Sequence, residues 1–185
     1  MDAYSDIFAR RKRLSIYWYN KASDLRGSAG VLWAAMHDPK ESQLAEDLGF
    51  WRGFSFSVAC WPVYQMLCGM ALELLLKALL VARGSEPKAV HDLLSLSRDA
   101  EIQLTDEQEG LFEILSEAIS WEGRYPVPKH EHRYRRLAEL QWEHLWDPIE
   151  TQGNLDFRQS NDKLSWASFN ELWQMISILY GPYLT

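Results

Sequence analysis

The sequence predicts an all-α protein, an up-and-down helical bundle arranged around one central helix. Three observations lead to this prediction. Apolar residues recur at helical spacing through most of the chain, and no alternating run is convincing enough to be a strand. A long apolar stretch from Trp61 to Leu80 is followed by Gly84, as expected of a buried helix with a glycine stop. The 185 residues are 47% hydrophobic, enough for one domain over residues 1–185 with a buried core.

Composition and charge limit the class of protein. Nine Trp residues and 13% aromatic content indicate a packed globule, and the formal charge of −7 argues against nonspecific attraction to nucleic acid or anionic membranes. Cys60 and Cys68 are too far apart along a helix to bridge, so we expect free thiols. The polar, charged start at residues 1–13 does not resemble a signal peptide. These features predict a cytoplasmic protein.

One segment is long enough to span a membrane. Residues 53–72 contain no charged residue, but they include Ser55, Ser57, Pro62 and Gln65. This composition is more polar than that of a lipid-facing helix, so we interpret the segment as core and predict no membrane contact.

The N-terminal part predicts one long amphipathic helix. Ser5 or Asp6 can cap it, and residues 37–39 (His-Asp-Pro) end it after Met36. A polar connection follows, with a short helical turn around residues 43–48.

The central helix is expected to begin near Trp61 and to end at Gly84. Glu73 and Lys77 lie four residues apart, which is the spacing of an ion pair within one helix. A structural pair is the simpler interpretation, and a role in a site is the alternative.

The remaining helices follow from local signals. Thr105 and Gln108 form a capping box that begins a helix, and Pro126 and Pro128 must end it. Residues 147–164 carry turn residues without a clear period and predict a long loop. The other helices are expected at residues 87–98, 130–146 and 165–180.

A basic segment stands out in this acidic chain. Within residues 124–136 only Glu131 opposes the positive charges, and Tyr125 and Tyr134 add rings that could stack on bases. A solvated helix face beside a turn is the alternative interpretation. The basic residues of the segment are Arg124, Lys129, Arg133, Arg135 and Arg136, with His130 and His132 among them.

Two pairs of residues could carry chemistry. His130 could transfer a proton near neutral pH while Arg124 holds a phosphate, which suits RNA cleavage, although the spacing alone is a weak signal. His91 and Asp92 lie at the start of a helix, where the dipole favours a carboxylate; alternatively, His91 faces the same cleft as Arg124. No recognised metal-ligand grouping or phosphate loop is present, so we expect neither metal nor cofactor.

Three groups of residues resemble the HEPN family of small helical domains. Together they extend from about Tyr17 to Pro128. The groups are the early helix with Trp18, Ala22, Leu25 and Ser28-Ala29, the core helix of residues 71–84, and the pair formed by residues 91–93 and 123–126.

The resemblance implies four or five main helices with short accessory helices, usually in a homodimer. Many members are RNases of toxin–antitoxin, phage-defence or RNA-processing systems that use an Arg and a His at the spacing of Arg124 and His130. A nucleotidyltransferase-like antitoxin is then an expected partner. In active members the motif lies on a helix with a polar residue after the Arg. Here Tyr125 follows, and Pro126 and Pro128 break the segment.

We therefore predict a protein that binds nucleotide or RNA through the basic segment, in a defence or toxin–antitoxin context. One alternative is a metal-independent endoribonuclease with His130 as acid–base and Arg124 as phosphate clamp. Another is a purely structural dimerisation module. The residues predicted to bind the ligand are His91, Asp92, Tyr125, Lys129 and Arg133.

Overall fold

The computed structural model describes residues 2–152 and 155–184, and it confirms the predicted all-α bundle. Within those residues the chain forms nine α-helices and one two-stranded antiparallel sheet. The helices are α1 (Ala3–Arg13), α2 (Ser15–Met36), α3 (Glu41–Asp47), α4 (Phe56–Ala59), α5 (Trp61–Ala82), α6 (Leu93–Asp99), α7 (Asp106–Glu117), α8 (Glu131–His144) and α9 (Trp166–Tyr180). The strands are β1 (Trp146–Gln152) and β2 (Leu155–Ser160).

Helix α5 is the centre of the bundle, as the apolar stretch predicts. It packs against α2, α6, α7 and α9, and fourteen of its residues are buried. Pro62 lies in its first turn, where a missing N–H costs no hydrogen bond, and Gly84 follows its end with a φ of 87°. Trp61–Ala82 is long and apolar enough to cross a membrane, but most of it is buried inside the protein. The helix is therefore the core helix.

A glycine lets α7 approach α5 closely. A Cβ atom on Gly69 would lie 2.9 Å from the carbonyl oxygen of Leu115 and 2.9 Å from the side chain of Ile119. Real Cβ atoms do not come so near to backbone, so this contact requires glycine.

The prediction of one N-terminal helix to Met36 is wrong. Leu14 has an extended conformation (φ −93°, ψ 114°), which separates α1 from α2. The cap of α1 is Asp2, whose side chain accepts from the backbone N–H of Tyr4, rather than Ser5 or Asp6. Helix α1 buries none of its residues, so no contact with the core holds it in line with α2.

The prediction of a loop over residues 147–164 is also wrong, because β1 and β2 form a hairpin there. Trp146 pairs with Ser160, and a register shift between Pro148 and Glu150 interrupts the ladder. Such an irregularity breaks the strict alternation by which a strand is recognised in a sequence.

The basic segment lies in the connection from α7 to α8 and in the first turns of α8. The capping box is present: Thr105 Oγ1 accepts from the N–H of Gln108, and Gln108 Oε1 accepts from the N–H of Thr105. At its other end α7 continues into a π-helical turn, Ala118–Glu122, before the chain turns at Gly123. Residues 124–130 then cross to the first turn of α8.

Candidate functional site

A cleft of about 600 Å³ lies between residues 89–94, α7 and α8. Apolar side chains and charged groups of both signs share its walls. Three of the predicted site residues, His91, Asp92 and Arg133, line it. The lining residues are Ala89, Val90, His91, Asp92, Leu94, Glu113, Ser116, Glu117, Ser120, Arg133, Arg136 and Leu140.

His91 is connected to a buried ion pair on the central helix. Glu73 Oε1 accepts from Lys77 Nζ at 2.6 Å, as the four-residue spacing predicts, and both side chains are only 6% exposed. The other carboxylate oxygen, Oε2, lies 2.9 Å from Nδ1 of His91, whose side chain is 62% exposed. The buried carboxylate of Glu73 therefore positions one ring nitrogen of His91, while most of the imidazole stays exposed to solvent.

Asp92 has the structural role that its position predicts. Its carboxylate caps α6 by accepting from the N–H of Ser95 at 3.1 Å. The next residue, Leu93, donates its N–H to Ser116 Oγ at 3.0 Å, which ties the start of α6 to α7. These two bonds fix the backbone that directly follows His91.

The cations of the cleft are paired with carboxylates of α7. Arg133 meets Glu117 through two nitrogens, with Nη2–Oε2 at 2.9 Å and Nε–Oε1 at 3.3 Å. Arg136 Nη2 lies 2.6 Å from Glu113 Oε2. The cleft therefore carries three carboxylates against two guanidinium groups and is not basic.

Arg124 lies at the end of the π turn. Its Nη2 donates to the carbonyl oxygens of Ile119 at 3.0 Å and Ser120 at 2.7 Å, so it satisfies backbone acceptors that a helix end leaves unpaired. Its guanidinium also lies 5.4 Å from the centre of the Tyr125 ring. Arg124 is exposed, but it is not among the residues that line the cleft of His91.

The segment from Arg124 to Arg135 forms an exposed surface, which we call the basic surface. His130 precedes α8, and its ring stacks on that of His132 with the centroids 5.6 Å apart. Tyr125 and Tyr134 are 57% and 54% exposed. Within the described residues no carboxylate pairs with Lys129. Its members are Arg124, Tyr125, Lys129, His130, His132, Tyr134 and Arg135.

The sequence did not indicate two further groups of polar residues. Glu113 and Glu117 lie four apart on α7, a spacing that shows a shared face but not the partners across the cleft. Glu122, beside the first turn of α5, accepts from Gln141 Nε2 at 3.0 Å. Burial raises the pKa of the Glu122 carboxyl, against the lowering effect of the Gln141 hydrogen bond. Over residues 2–152 and 155–184 no three His, Cys, Asp or Glu side chains converge as metal ligands would.

Comparison with known proteins adds one finding to this geometry. Residues 55–143, from the cap of α4 to the last turn of α8, match the model of the HEPN domain family. This range includes both the cleft and the basic surface. No curated protein and no solved structure matches the chain significantly.

Proposed function

Because the chain contains a HEPN domain over residues 55–143, we propose that the protein binds RNA or a nucleotide through the basic surface. HEPN domains are often related to nucleotides or RNA. The observation that carries the proposal is the exposure of cations and aromatic rings together along residues 124–135, next to the start of α8.

The composition of the surface suits a single strand. Lys129 provides positive charge for a phosphate in a chain whose formal charge is −7. The guanidinium of Arg135 is 72% exposed, and its Nη2 lies 3.4 Å from Glu131 Oε1, so Arg135 can bind a phosphate only in exchange for this exposed ion pair. Tyr125 and Tyr134 are each more than half exposed, although Arg124 lies over the ring of Tyr125 and Trp121 lies beside that of Tyr134, and bases stack on exposed rings without regard to sequence. Charge and stacking together predict salt-dependent binding with little sequence preference.

The position of Arg124 favours binding over cleavage. A phosphate clamp needs donors that point at the ligand, whereas Nη2 of Arg124 donates to the carbonyls of Ile119 and Ser120. One observation supports the alternative of a metal-independent endoribonuclease using Arg124 and His130. His130 is exposed beside His132, so two imidazoles are available for proton transfer.

The binding proposal is tested by titrating a labelled single-stranded RNA and measuring fluorescence anisotropy. Tyr125→Ala should weaken binding by about 1–3 kcal/mol, the value of one base stacked on a ring. Lys129→Ala should lower the slope of log K against log salt by about 0.7, the value of one phosphate contact.

The matched control is Lys40→Ala, an exposed Lys at the start of α3 that lies outside the basic surface. It removes the same charge and should leave binding unchanged. Equal losses for Lys40→Ala and Lys129→Ala would contradict a specific surface. The same RNA incubated in EDTA tests the alternative: cleavage by the wild type that His130→Ala and Arg124→Ala abolish would establish the endoribonuclease.

We also propose a homodimer, because HEPN domains often dimerise. Light scattering should then give twice the 21.6 kDa of one chain, and a mass of one chain at all concentrations would refute the proposal. The nucleotidyltransferase-like antitoxin and the defence context stay predictions from the resemblance.

A further inference from the structure

We propose that the cleft of His91 binds the ribose hydroxyl of a bound nucleotide and thereby makes the protein prefer RNA to DNA. This inference rests on the proposed function, since it divides the recognition of one ligand between two places. The basic surface would hold phosphate and base, and the cleft would hold the sugar.

The first step concerns the proton on His91. Glu73 accepts a hydrogen bond from Lys77, and an ionised carboxylate has no proton to donate. The 2.9 Å contact between Glu73 Oε2 and Nδ1 of His91 must therefore be donated by the histidine. In the neutral ring this leaves Nε2 as a hydrogen-bond acceptor, so the buried carboxylate selects one tautomer.

The second step concerns why a buried ion pair lies in an apolar helix. Taking two charges out of water is costly, and apolar residues of similar size often replace such a pair without loss of stability. The side chains of Glu73 and Lys77 are each 6% exposed among the leucines of α5. His91, the other partner of Glu73, is largely exposed. The pair is thus placed to orient His91 rather than to stabilise the core.

The third step concerns the ligand that the cleft can take. Its walls carry three carboxylates and two guanidinium groups, and Arg133 and Arg136 are already paired with Glu117 and Glu113. Such walls do not attract a phosphate. Since Glu113, Glu117 and Asp92 also have partners, the acceptor left for a hydroxyl donor is the imidazole of His91. A volume of about 600 Å³ accommodates a nucleoside-sized group. The 2′-hydroxyl is the group by which a protein distinguishes RNA from DNA.

The fourth step connects the cleft with the basic surface. Arg133 lines the cleft, and its N–H donates to the carbonyl oxygen of His130 at 3.1 Å in the first turn of α8. Arg136 also lines the cleft, and on the other side it lines a smaller depression together with His132 and Arg135 of the basic surface, so the two places adjoin along α8.

The experiment compares an RNA trinucleotide with the DNA of the same sequence, for the wild type, His91→Ala and Lys129→Ala. The wild type should prefer RNA by about three- to tenfold, the value of one hydrogen bond. His91→Ala should remove the preference, so that RNA binds no more tightly than DNA. Lys129→Ala should weaken both equally, because it contacts phosphate. Circular dichroism checks that each variant is folded.

The failures are distinguishable. If the wild type binds neither trinucleotide, the proposed function is wrong. If it binds both equally, or if His91→Ala keeps the preference, only the role of the cleft is wrong.

A second measurement uses the wild type alone and does not depend on a variant that folds. The ¹⁵N resonances of the His91 ring should show a protonated Nδ1, and RNA should shift Nε2 more than DNA does. A protonated Nε2 with a bare Nδ1, or equal shifts with both ligands, would overturn the inference.

Discussion

The buried pair of Glu73 and Lys77 makes the most quantitative prediction. Lys77→Met removes the cation that lies 2.6 Å from Glu73 Oε1, in surroundings where both side chains are 6% exposed. Breaking a buried pair typically costs about 3–5 kcal/mol because a charge is left without its partner. We expect a loss of about 3 kcal/mol in the free energy of unfolding, at the lower end of this range, because His91 still donates to the other oxygen of Glu73.

The double variant Glu73→Leu/Lys77→Met should recover most of this loss. Removing both charges leaves no uncompensated group, so its free energy of unfolding should lie within about 1 kcal/mol of the wild type. Glu73→Leu alone strands the buried ammonium of Lys77 and should cost about as much as Lys77→Met. Only the double variant restores charge balance.

Urea unfolding followed by circular dichroism measures these free energies, and the four proteins form a double-mutant cycle. A double variant that loses the sum of the two single losses would refute the account, because the charges would then not be coupled. The folded double variant should also lose the preference for RNA over DNA, because nothing then fixes the tautomer of His91.

Three further predictions concern packing, protonation and capping. Gly69→Ala should destabilise by about 1–3 kcal/mol in urea, because its Cβ would meet the carbonyl oxygen of Leu115 at 2.9 Å; Gly27→Ala, with nothing within 4 Å in α2, should stabilise by about 0.5–1 kcal/mol. The raised pKa of Glu122 means that the folded state favours the protonated form, so stability falls as pH rises through that pKa. Glu122→Gln should therefore raise the melting temperature at pH 7 more than at pH 4. Thr105→Ala should cost about 1 kcal/mol in urea by removing the capping box.

Each of these predictions can fail clearly. If Gly69→Ala and Gly27→Ala had the same free energy of unfolding, the close approach of α7 to α5 at Gly69 would be refuted. A gain from Glu122→Gln at pH 4 as large as at pH 7 would exclude protonation as its cause. Thr105→Ala with the stability of the wild type would show that the cap contributes nothing.

Local signals were enough to predict most of the fold. The apolar residues of α5, its glycine stop and the Thr105–Gln108 capping box act within a few residues, and their effect does not depend on distant contacts. The break at Leu14 could not be predicted, because neither proline nor glycine marks it. The hairpin was missed because Pro148 and the register shift after it conceal the period of β1.

The candidate site was predictable only where neighbours lie on one helix. The pairing of Glu73 with Lys77 follows from their spacing, but the contact of His91 with Glu73 joins residues eighteen positions apart on different elements. The pairing of Arg133 with Glu117 depends in the same way on how α8 packs against α7. Such contacts arise from tertiary packing, so they cannot be predicted from the spacing of residues along one helix.

Mapping of backbone amide chemical shifts during an RNA titration tests the central claim most directly. The account predicts salt-sensitive shifts concentrated in residues 124–135, with a second set at residues 89–94 and along the cleft face of α7. No shifts at low salt, or shifts confined to residues outside these segments, would contradict the account.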